Sequence, residues 1–270
     1  MIKSVAIMGC GWLGFPLAKR LLQEGYTIKG STTSENKLET LQKEGIAPYL
    51  IQLTEHKIIG DISGFLQNQQ LLIINVPPRL RGKGSKESFV EKMKLVAEAV
   101  KKSSIKKVIF VSSTSVYGDI SGDVTEETTP VPQTESGKQL LQSELLFKKS
   151  LTSNITIIRF GGLIGPDRHP VTMLSGRENL SGGNAPVNLI HLDDCIRIIS
   201  AILKKDQWGE TFNAVYPHHP KKQEYYTLEA KKRTIKAPEY QKIDNKKYKK
   251  VTTCKYFLLN SYTFQTSIVS

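Results

Sequence analysis

The chain contains little cysteine and no long apolar run. Its three cysteines, Cys10, Cys195 and Cys254, are far apart and form no C-x-x-C pair, which argues against both a disulfide framework and a cysteine metal site. No segment approaches the roughly 20 consecutive apolar residues of a membrane span. Glycines interrupt the apolar stretch near the N-terminus, so we interpret it as a strand and not as a signal peptide. We therefore expect a reduced, cytoplasmic protein without a metal and without a membrane partner.

Acidic residues are also few, with 25 Asp and Glu against 38 Lys and Arg, a net charge of +13. The excess is uneven, because residues 217–255 contain twelve basic and four acidic residues, a surplus of eight. Such a surface attracts anionic small molecules or nucleic acid, or is simply solvated. The basic residues lack regularly interleaved aromatic side chains, which makes nucleic acid the less favoured partner.

The stretch that organises the chain is a glycine-rich loop near the N-terminus. An apolar run, Val5–Met8, precedes G-x-G-x-x-G at residues 9–14, and a segment with helical period follows. This order predicts a dinucleotide-binding unit, in which main-chain N–H groups at the positive end of the helix bind a diphosphate. A plain tight turn is the alternative. The residues assigned to the cofactor here are Gly9, Gly11, Trp12, Leu13 and Gly14.

The end of the second predicted strand bears on which dinucleotide binds. An NAD-selective site usually has Asp or Glu there, which accepts hydrogen bonds from the ribose 2′-hydroxyl. Here Ser31, Thr32 and Thr33 follow the strand and Lys37 lies just beyond. Hydroxyls and an ammonium suit a 2′-phosphate, so the sequence favours NADP over NAD. Alternatively, Ser34 in this stretch only caps the following helix.

Apolar runs of strand length alternate with segments of helical period along most of the chain. This predicts an α/β fold, a doubly wound (Rossmann) parallel sheet with helices on both faces and a small C-terminal cap on the substrate side. We divide the chain into a Rossmann core at 1–164, a substrate-side loop at 165–186, the last strands and helix of the core at 187–216, and a small basic cap at 217–270.

Ligands bind at the carboxyl ends of parallel strands, which marks further cofactor candidates. The fourth predicted strand, Leu71–Val76, ends at Pro77, and a basic segment at 79–84 follows as an anion-binding lid or a solvated loop. Ser112 directly follows the fifth predicted strand, Lys106–Val111, and Phe160 lies in the apolar segment that precedes Gly161 and Gly162. We assign Val76, Pro77, Ser112 and Phe160 to the cofactor site.

Several ordered segments resemble the extended short-chain dehydrogenase/reductase family. Residues 112–118 match its S-S-x-x-V-Y-G segment, residues 158–166 its sixth strand and G-P turn, and residues 188–194 its V-H-x-D-D core. Within the family, residues 11–14, 112–118 and 165–170 resemble the atypical YeeZ-like group, whose members are described as NAD(P)-binding epimerase-like or dehydrogenase-like proteins. The resemblance implies the fold more firmly than it implies a reaction.

By position, the resemblance assigns Ser113 as the family's catalytic serine and Lys138 as its lysine, but Thr134 stands where the catalytic tyrosine should be. A tyrosine acting as a base at neutral pH needs its pKa lowered by roughly three units, at a cost of about 4 kcal/mol. The pKa of an aliphatic alcohol lies far above that of tyrosine, close to that of water, so the same role would cost about 12 kcal/mol. Thr134 therefore cannot be the base, although Lys138 can still bind the nicotinamide ribose.

A second departure concerns the substrate. Family members that act on nucleotide sugars typically carry Asn where this chain has Gly162, which argues further against a nucleotide-sugar epimerase. Among other acid–base candidates, His169 lies in a loop at a strand end and is either a titrating group or a structural one. Tyr117 is a structural residue in the family pattern, with a replacement acid–base role as the alternative, and we expect His191 to stabilise a turn or a helix start.

Two functions remain open. One is an NADP-binding oxidoreductase or epimerase-like enzyme with a non-standard catalytic group, acting on an anionic small molecule that Arg79, Arg81, Arg168 and the basic segment attract. The other is a catalytically degenerate protein that senses NADP and signals through a partner surface. Binding of nucleic acid ranks behind both. The sequence predicts neither the substrate nor the oligomeric state.

Overall fold

A computed structural model describes residues 2–78, 80, 87–151, 154–242, 248–255 and 262–269. The described strands are β1 (Ser4–Met8), β2 (Thr27–Thr32), β3 (Ala47–Leu50), β4 (Gln52–Leu53), β5 (Ile58–Ile59), β6 (Leu71–Ile74), β7 (Lys107–Ser113), β8 (Gly122–Val124), β9 (Ile155–Phe160), β10 (Gly162–Ile164), β11 (Leu189–His191), β12 (Thr211–Ala214) and β13 (Lys249–Val251). The α-helices are α1 (Gly14–Gln23), α2 (Leu38–Lys43), α3 (Ile62–Leu66), α4 (Phe89–Lys101), α5 (Glu135–Leu151), α6 (Pro170–Leu174), α7 (Leu192–Lys205) and α8 (Lys222–Lys232). Short 3₁₀ helices cover Glu35–Lys37 and Thr114–Tyr117.

Seven strands form one parallel sheet in the order β12-β9-β7-β6-β1-β2-β3. The chain runs outward in one direction from β1 through β2 to β3, and in the other from β6 through β7 and β9 to β12. The order therefore reverses between β1 and β6, which opens a crevice at their carboxyl ends. The predicted doubly wound fold is confirmed.

Helices cover both faces of this sheet, which explains why its central strands are apolar throughout. On β1, Val5 and Ile7 enter one core with α1 and α7, while Ala6 and Met8 enter a second core with α4 and α5. Neighbouring residues of a strand point to opposite faces, so a strand buried on both sides needs no polar alternation.

A third apolar cluster lies outside the two cores of the sheet. It joins Ile164 and Val171 to Tyr225 and Tyr226 of α8. Helix α8 lies in the basic segment between Pro220 and Pro238, where the sequence predicted a small cap without a defined helix. The boundaries of the four predicted segments stay a prediction.

The C-terminal segment returns to the Rossmann core. Strand β13 pairs in parallel with β8, and Thr252 N donates to Val124 O over 2.9 Å. The apolar run at 256–260, predicted to dock on the fold, lies outside the described residues. Within the described ranges, none of the helices has the length and apolar character needed to cross a membrane.

Candidate functional site

The three glycines of the loop after β1 serve different needs. Gly9 has a φ of +101°, and a Cβ there would lie 2.7 Å from Asn75 O. A Cβ on Gly14 would overlap Gly9 O, so this glycine lets α1 approach the loop. A Cβ on Gly11 would meet nothing within 4 Å. The fold itself therefore requires Gly9 and Gly14, whereas the open space at Gly11 fits the close approach of a ligand.

Hydrogen bonds from neighbouring strand ends hold this loop. Ser31 Oγ accepts from Gly9 N over 3.1 Å, and Ser31 O accepts from Cys10 N over 2.8 Å. Asn75 Nδ2 donates to Gly9 O over 3.0 Å. Sequence reasoning missed Asn75, although an amide at the end of an apolar strand was a signal that could have found it.

The start of α1 faces the crevice with free donors. No described residue accepts a hydrogen bond, within normal geometry, from the main-chain N–H of Gly11, Trp12 or Leu13. The first turn of α1 has no acidic residue and no side-chain cap. These N–H groups and the helix dipole form an environment suited to the phosphates of a dinucleotide.

The polar residues at the end of β2 divide into an inward and an outward group. Ser31 and Thr32 are buried, and Thr32 Oγ1 accepts from Ser34 N over 3.1 Å. Thr33 and Lys37 are exposed. Ser34 precedes the 3₁₀ helix, but its side chain makes no capping hydrogen bond. Among these residues at the end of β2, Thr33 and Lys37 thus combine an assigned cofactor role with an exposed side chain.

The remaining strand-end residues assigned to the cofactor differ in exposure. Val76 is half-buried beside Gly9, and Pro77 is exposed. Phe160 is buried in the core that contains α1, so its ring is occupied by packing. Ser112 is buried, and its hydroxyl donates to Glu144 Oε1 over 2.5 Å. Phe160 and Ser112 therefore offer their main chains to the crevice.

Glu144 belongs to a buried polar network behind the strand ends. Arg159 Nη2 contacts Glu144 Oε2 at 2.6 Å, and Arg159 Nη1 donates to Tyr117 Oη over 2.8 Å. Tyr117 Oη in turn donates to Asn213 Oδ1 over 2.8 Å. Burial raises the pKa of Tyr117, so its phenol stays protonated. The geometry favours the structural interpretation of Tyr117 over an acid–base role.

The family's catalytic positions lie where β7 and α5 meet. Ser113 ends β7, and its Oγ accepts from Ser115 N over 3.1 Å. Gly137 allows close approach of α5, because a Cβ there would lie 2.7 Å from Ser115 O. Lys138 is exposed in the first turn of α5. Ser113 and Lys138 thus sit on two elements that pack against each other.

Thr134 has a clear local role at the start of α5. Its Oγ1 accepts from Gly137 N over 3.1 Å, and its O accepts from Lys138 N over 2.9 Å. A threonine that bonds the free N–H groups of the first turn is a helix N-cap. The residue at the position of the family's tyrosine therefore stabilises the helix.

Lys249 of β13 ties the C-terminal segment to the turn after Ser113. Its Nζ donates to Gly118 O over 2.5 Å and to Thr114 O over 3.3 Å. Burial lowers the pKa of this ammonium. No local pattern in the sequence indicated this contact, because it joins residues more than a hundred positions apart.

His169 is buried and both of its ring nitrogens have partners. Nδ1 accepts from Val171 N over 3.2 Å at the start of α6, so Nε2 carries the proton in the neutral ring and donates to Tyr225 Oη over 2.9 Å. Burial lowers the pKa of His169 to about 4. With its lone pair used in capping, the side chain is placed as a structural group. His191 caps α7 in the same way, as expected.

The predicted anion-attracting residues are only partly described. Arg168 lies against the ring of Trp12, whereas Arg79 and residues 81–84 of the predicted lid, which include Arg81, lie outside the described residues. Much of the basic segment is paired within the chain, which favours a solvated surface. Its ion pairs include Lys221 with Glu224, Lys232 and Arg233 with Glu229, Lys236 with Glu178, Lys250 with Asp123 and Lys255 with Glu210. No group of three His, Cys, Asp or Glu in the described part of the chain is arranged to hold a metal ion.

A doubly wound sheet with an open glycine loop at its switch point defines a dinucleotide-binding α/β protein. A family model described as NAD(P)H-binding matches residues 9–190. Protein YeeZ of Escherichia coli strain K12 is 34% identical over 241 residues, which are 88% of this chain and 87% of YeeZ. The chain therefore belongs to the NAD(P)H-binding family, in the YeeZ-like group of extended short-chain dehydrogenases/reductases.

Two further similar proteins are described as epimerases. The Bacillus subtilis (strain 168) protein described as uncharacterized UDP-glucose epimerase YtcB is 29% identical over 138 residues, which are 46% of this chain and 44% of that protein. The UDP-glucuronic acid 4-epimerase from Bacillus cereus, solved with UDP-glucuronic acid and NAD, has a TM-score of 0.78 at 22% identity, over 98% of this chain and 95% of that chain. At that identity the structural likeness shows the shared fold.

Proposed function

We propose that the chain binds NADP and acts as an oxidoreductase or epimerase-like enzyme on an anionic small molecule. The observation that carries this proposal is the open space at Gly11 beside main-chain N–H groups that have no acceptor among the described residues. The fold needs no glycine at this position, so its missing side chain is explained by the close approach of a diphosphate. The cofactor supplies hydride transfer when bound, and the chain supplies the positioning.

The preference for NADP rests on the residues beyond β2. Thr33 and Lys37 are exposed and offer a hydroxyl and an ammonium to a 2′-phosphate. Glu35, which sequence reasoning did not weigh, begins the following 3₁₀ helix as an exposed carboxylate. Because a carboxylate repels a 2′-phosphate, replacing Glu35 with Gln should increase any preference for NADP.

The anionic character of the substrate rests on charge. Much of the basic segment 217–255 is paired within the chain, but its strand β13 brings the ammonium of Lys249 beside the turn after Ser113. The Bacillus cereus epimerase was solved with UDP-glucuronic acid, which is itself anionic. At Gly162 a Cβ would lie 2.6 Å from Leu189 Cδ2, so the space for the Asn of nucleotide-sugar members is filled. We therefore propose an anionic substrate that is held differently from a nucleotide sugar.

In the proposed reaction, Ser113 and Lys138 keep the family's positioning roles. Among the described residues, Ser113 Oγ bonds only a local N–H, as acceptor, so its own proton is free to bond a substrate oxygen. Lys138, exposed on α5, would bind the nicotinamide ribose hydroxyls. Thr134 supplies no base, so proton transfer must involve the substrate, water or a residue that the family does not use.

The second candidate is an NADP-sensing regulatory protein without catalysis. It is favoured by the three side chains considered for the acid–base role, because each of them is bonded within the protein. Thr134 caps α5, Tyr117 is bonded within the buried network, and the lone pair of His169 caps α6. Each of these side chains has a structural partner that a catalytic role would disrupt.

Titration of the purified protein with NADP(H) and NAD(H), followed by fluorescence, tests cofactor binding. A screen of carbonyl, alcohol and anionic sugar substrates for changes in nicotinamide absorbance then separates the two candidates. The enzyme proposal expects tight NADP binding and turnover of an anionic substrate. Tight binding without turnover across the panel favours the regulator. Absence of binding to either dinucleotide overturns both, and tighter binding of NAD overturns the preference for NADP.

A further inference from the structure

The side chain of Trp12 connects the glycine loop to the loop that follows β10. Its indole Nε1 donates to Asp167 Oδ1 over 2.8 Å. The guanidinium carbon of Arg168 lies 5.0 Å from the centre of the ring. A Cβ on Gly165 would lie 2.7 Å from Trp12 Cζ2, so this glycine is needed for the indole to pack. Two loops at the carboxyl edge of the sheet are thus held together through one residue of the glycine loop.

Arg168 is placed there without a carboxylate partner. Asp167, the nearest acidic neighbour in sequence, bonds the indole N–H, and no ion pair within the described part of the chain includes Arg168. By contrast, the two basic residues of α1 are neutralised, because Lys19 pairs with Glu44 and Arg20 with Glu24. Arg168 is therefore a cation fixed beside the loop with its hydrogen-bond donors open.

The glycine loop itself has too little positive charge for its proposed ligand. Residues 9–18 contain no Lys or Arg. The helix dipole supplies about half of an elementary charge, whereas a diphosphate carries about two negative charges. A guanidinium is well suited to supply the missing positive charge, because its planar set of donors matches phosphate oxygens.

We infer that Arg168, held face-on by Trp12, binds the diphosphate of the dinucleotide and closes the cofactor crevice from the side of the loop after β10. This inference rests on the proposed cofactor function and adds one binding residue and one positioning residue to it. It also moves Arg168 from the proposed substrate side to the cofactor. Trp12 acts through Arg168, since its ring sets where the guanidinium lies.

The test is the affinity of the whole chain for NADP⁺, NAD⁺, ADP and adenosine, measured calorimetrically for the wild type, R168M and R168K. A lost charge-assisted hydrogen bond corresponds to a loss of about 10-fold to 100-fold. We expect this loss in R168M for the three ligands that contain a diphosphate, and an unchanged affinity for adenosine. R168K should recover part of the loss, and the salt dependence of binding should be weaker in R168M.

A matched control exists in the same chain. Lys107 Nζ lies 5.7 Å from the ring centre of Trp208, whose Nε1 bonds Asp206, at the amino-terminal end of β7. K107M removes an equivalent cation from an equivalent ring and should leave all four affinities unchanged. W12F, which keeps a ring but loses the bond to Asp167, should weaken binding of the diphosphate ligands several-fold.

The outcomes separate this inference from the proposed function. If the wild type binds neither dinucleotide, the cofactor function itself fails. If the wild type binds NAD⁺ or NADP⁺ and R168M binds it equally well, Arg168 does not bind the diphosphate. If R168M loses affinity for adenosine to the same extent, the change is a general distortion of the site and the inference is again overturned.

Discussion

The loop after β1 and the turn after β7 lie at the same edge of the sheet but differ in whether their polar groups have hydrogen-bond partners within the protein. In the loop, Gly11 leaves open space and the neighbouring N–H groups lack acceptors among the described residues. Around the turn, Ser112, Tyr117 and Thr134 all bond partners within the protein. The first region is arranged for a ligand, whereas much of the second is arranged for stability.

We interpret this difference as a separation between two parts of the proposed site, cofactor binding and proton transfer. Main-chain N–H groups bind phosphate without any particular side chain, so that part survives wherever the backbone is kept. Proton transfer needs a side chain with a suitable pKa at one position. Here that position is occupied by a helix cap. The following variants test whether the two regions divide in this way.

The largest effect is expected at Gly11. The variant G11V would fill the space proposed for the diphosphate and should weaken NADP binding by more than about 100-fold, since several phosphate hydrogen bonds are lost together. Thermal unfolding without ligand should match the wild type, because a Cβ at this position has no protein atom within 4 Å. G14A is the control and should destabilise the fold, since its Cβ overlaps Gly9 O. Retained affinity in G11V would remove the proposed site.

The buried pair of Arg159 and Glu144 should dominate the stability of the second region. R159M leaves the Glu144 carboxylate buried without its partner, which should lower the free energy of unfolding by about 3–5 kcal/mol. Urea denaturation measures the change. The exposed pair of Lys43 with Glu39 serves as the control, and K43M should leave the urea midpoint unchanged. An R159M protein as stable as the wild type would show that the network is not structural.

His169 should make stability depend on pH. Its pKa is about 4 in the folded protein against about 6.5 when unfolded, so the unfolded chain binds the proton first as pH falls. Stability is therefore full above pH 6.5 and declines toward pH 4, by about 3 kcal/mol in total. H169N can still cap α6 but cannot titrate, and its unfolding free energy should lack this part of the slope. Equal slopes in the two proteins would contradict the assignment.

The smallest effect is expected at Thr134. T134A removes the cap of α5 and should cost about 1 kcal/mol in unfolding experiments, whereas T134S keeps a capping hydroxyl and should stay close to the wild type. NADP affinity should be the same in all three proteins. A large loss of NADP affinity in T134A alone would mean that Thr134 belongs to the cofactor site.

Local patterns predicted much of the fold because the central strands are buried on both faces. Residues 71–74 and 108–111 are apolar enough to mark strands directly, and glycines mark the loop at the switch point. Helix α8 was not predicted, because the segment was interpreted only as a small basic cap and its many lysines leave no clear apolar stripe of helical period. Its burial of Tyr225 and Tyr226 depends on residues far away in sequence.

The sequence by itself determined the doubly wound sheet, the glycine loop and the absence of a tyrosine at Thr134, since each depends on residue types at short spacing. Only the tertiary structure decided which polar groups are free. The Ser112 hydroxyl and the Arg159 guanidinium are both bonded to Glu144. Arg168 has no carboxylate partner among the described residues, because Asp167 bonds the indole of Trp12 instead. The physical reason is that a hydrogen-bond partner is chosen by distance in space, and these partners come from separate strands, helices and loops that only folding brings together.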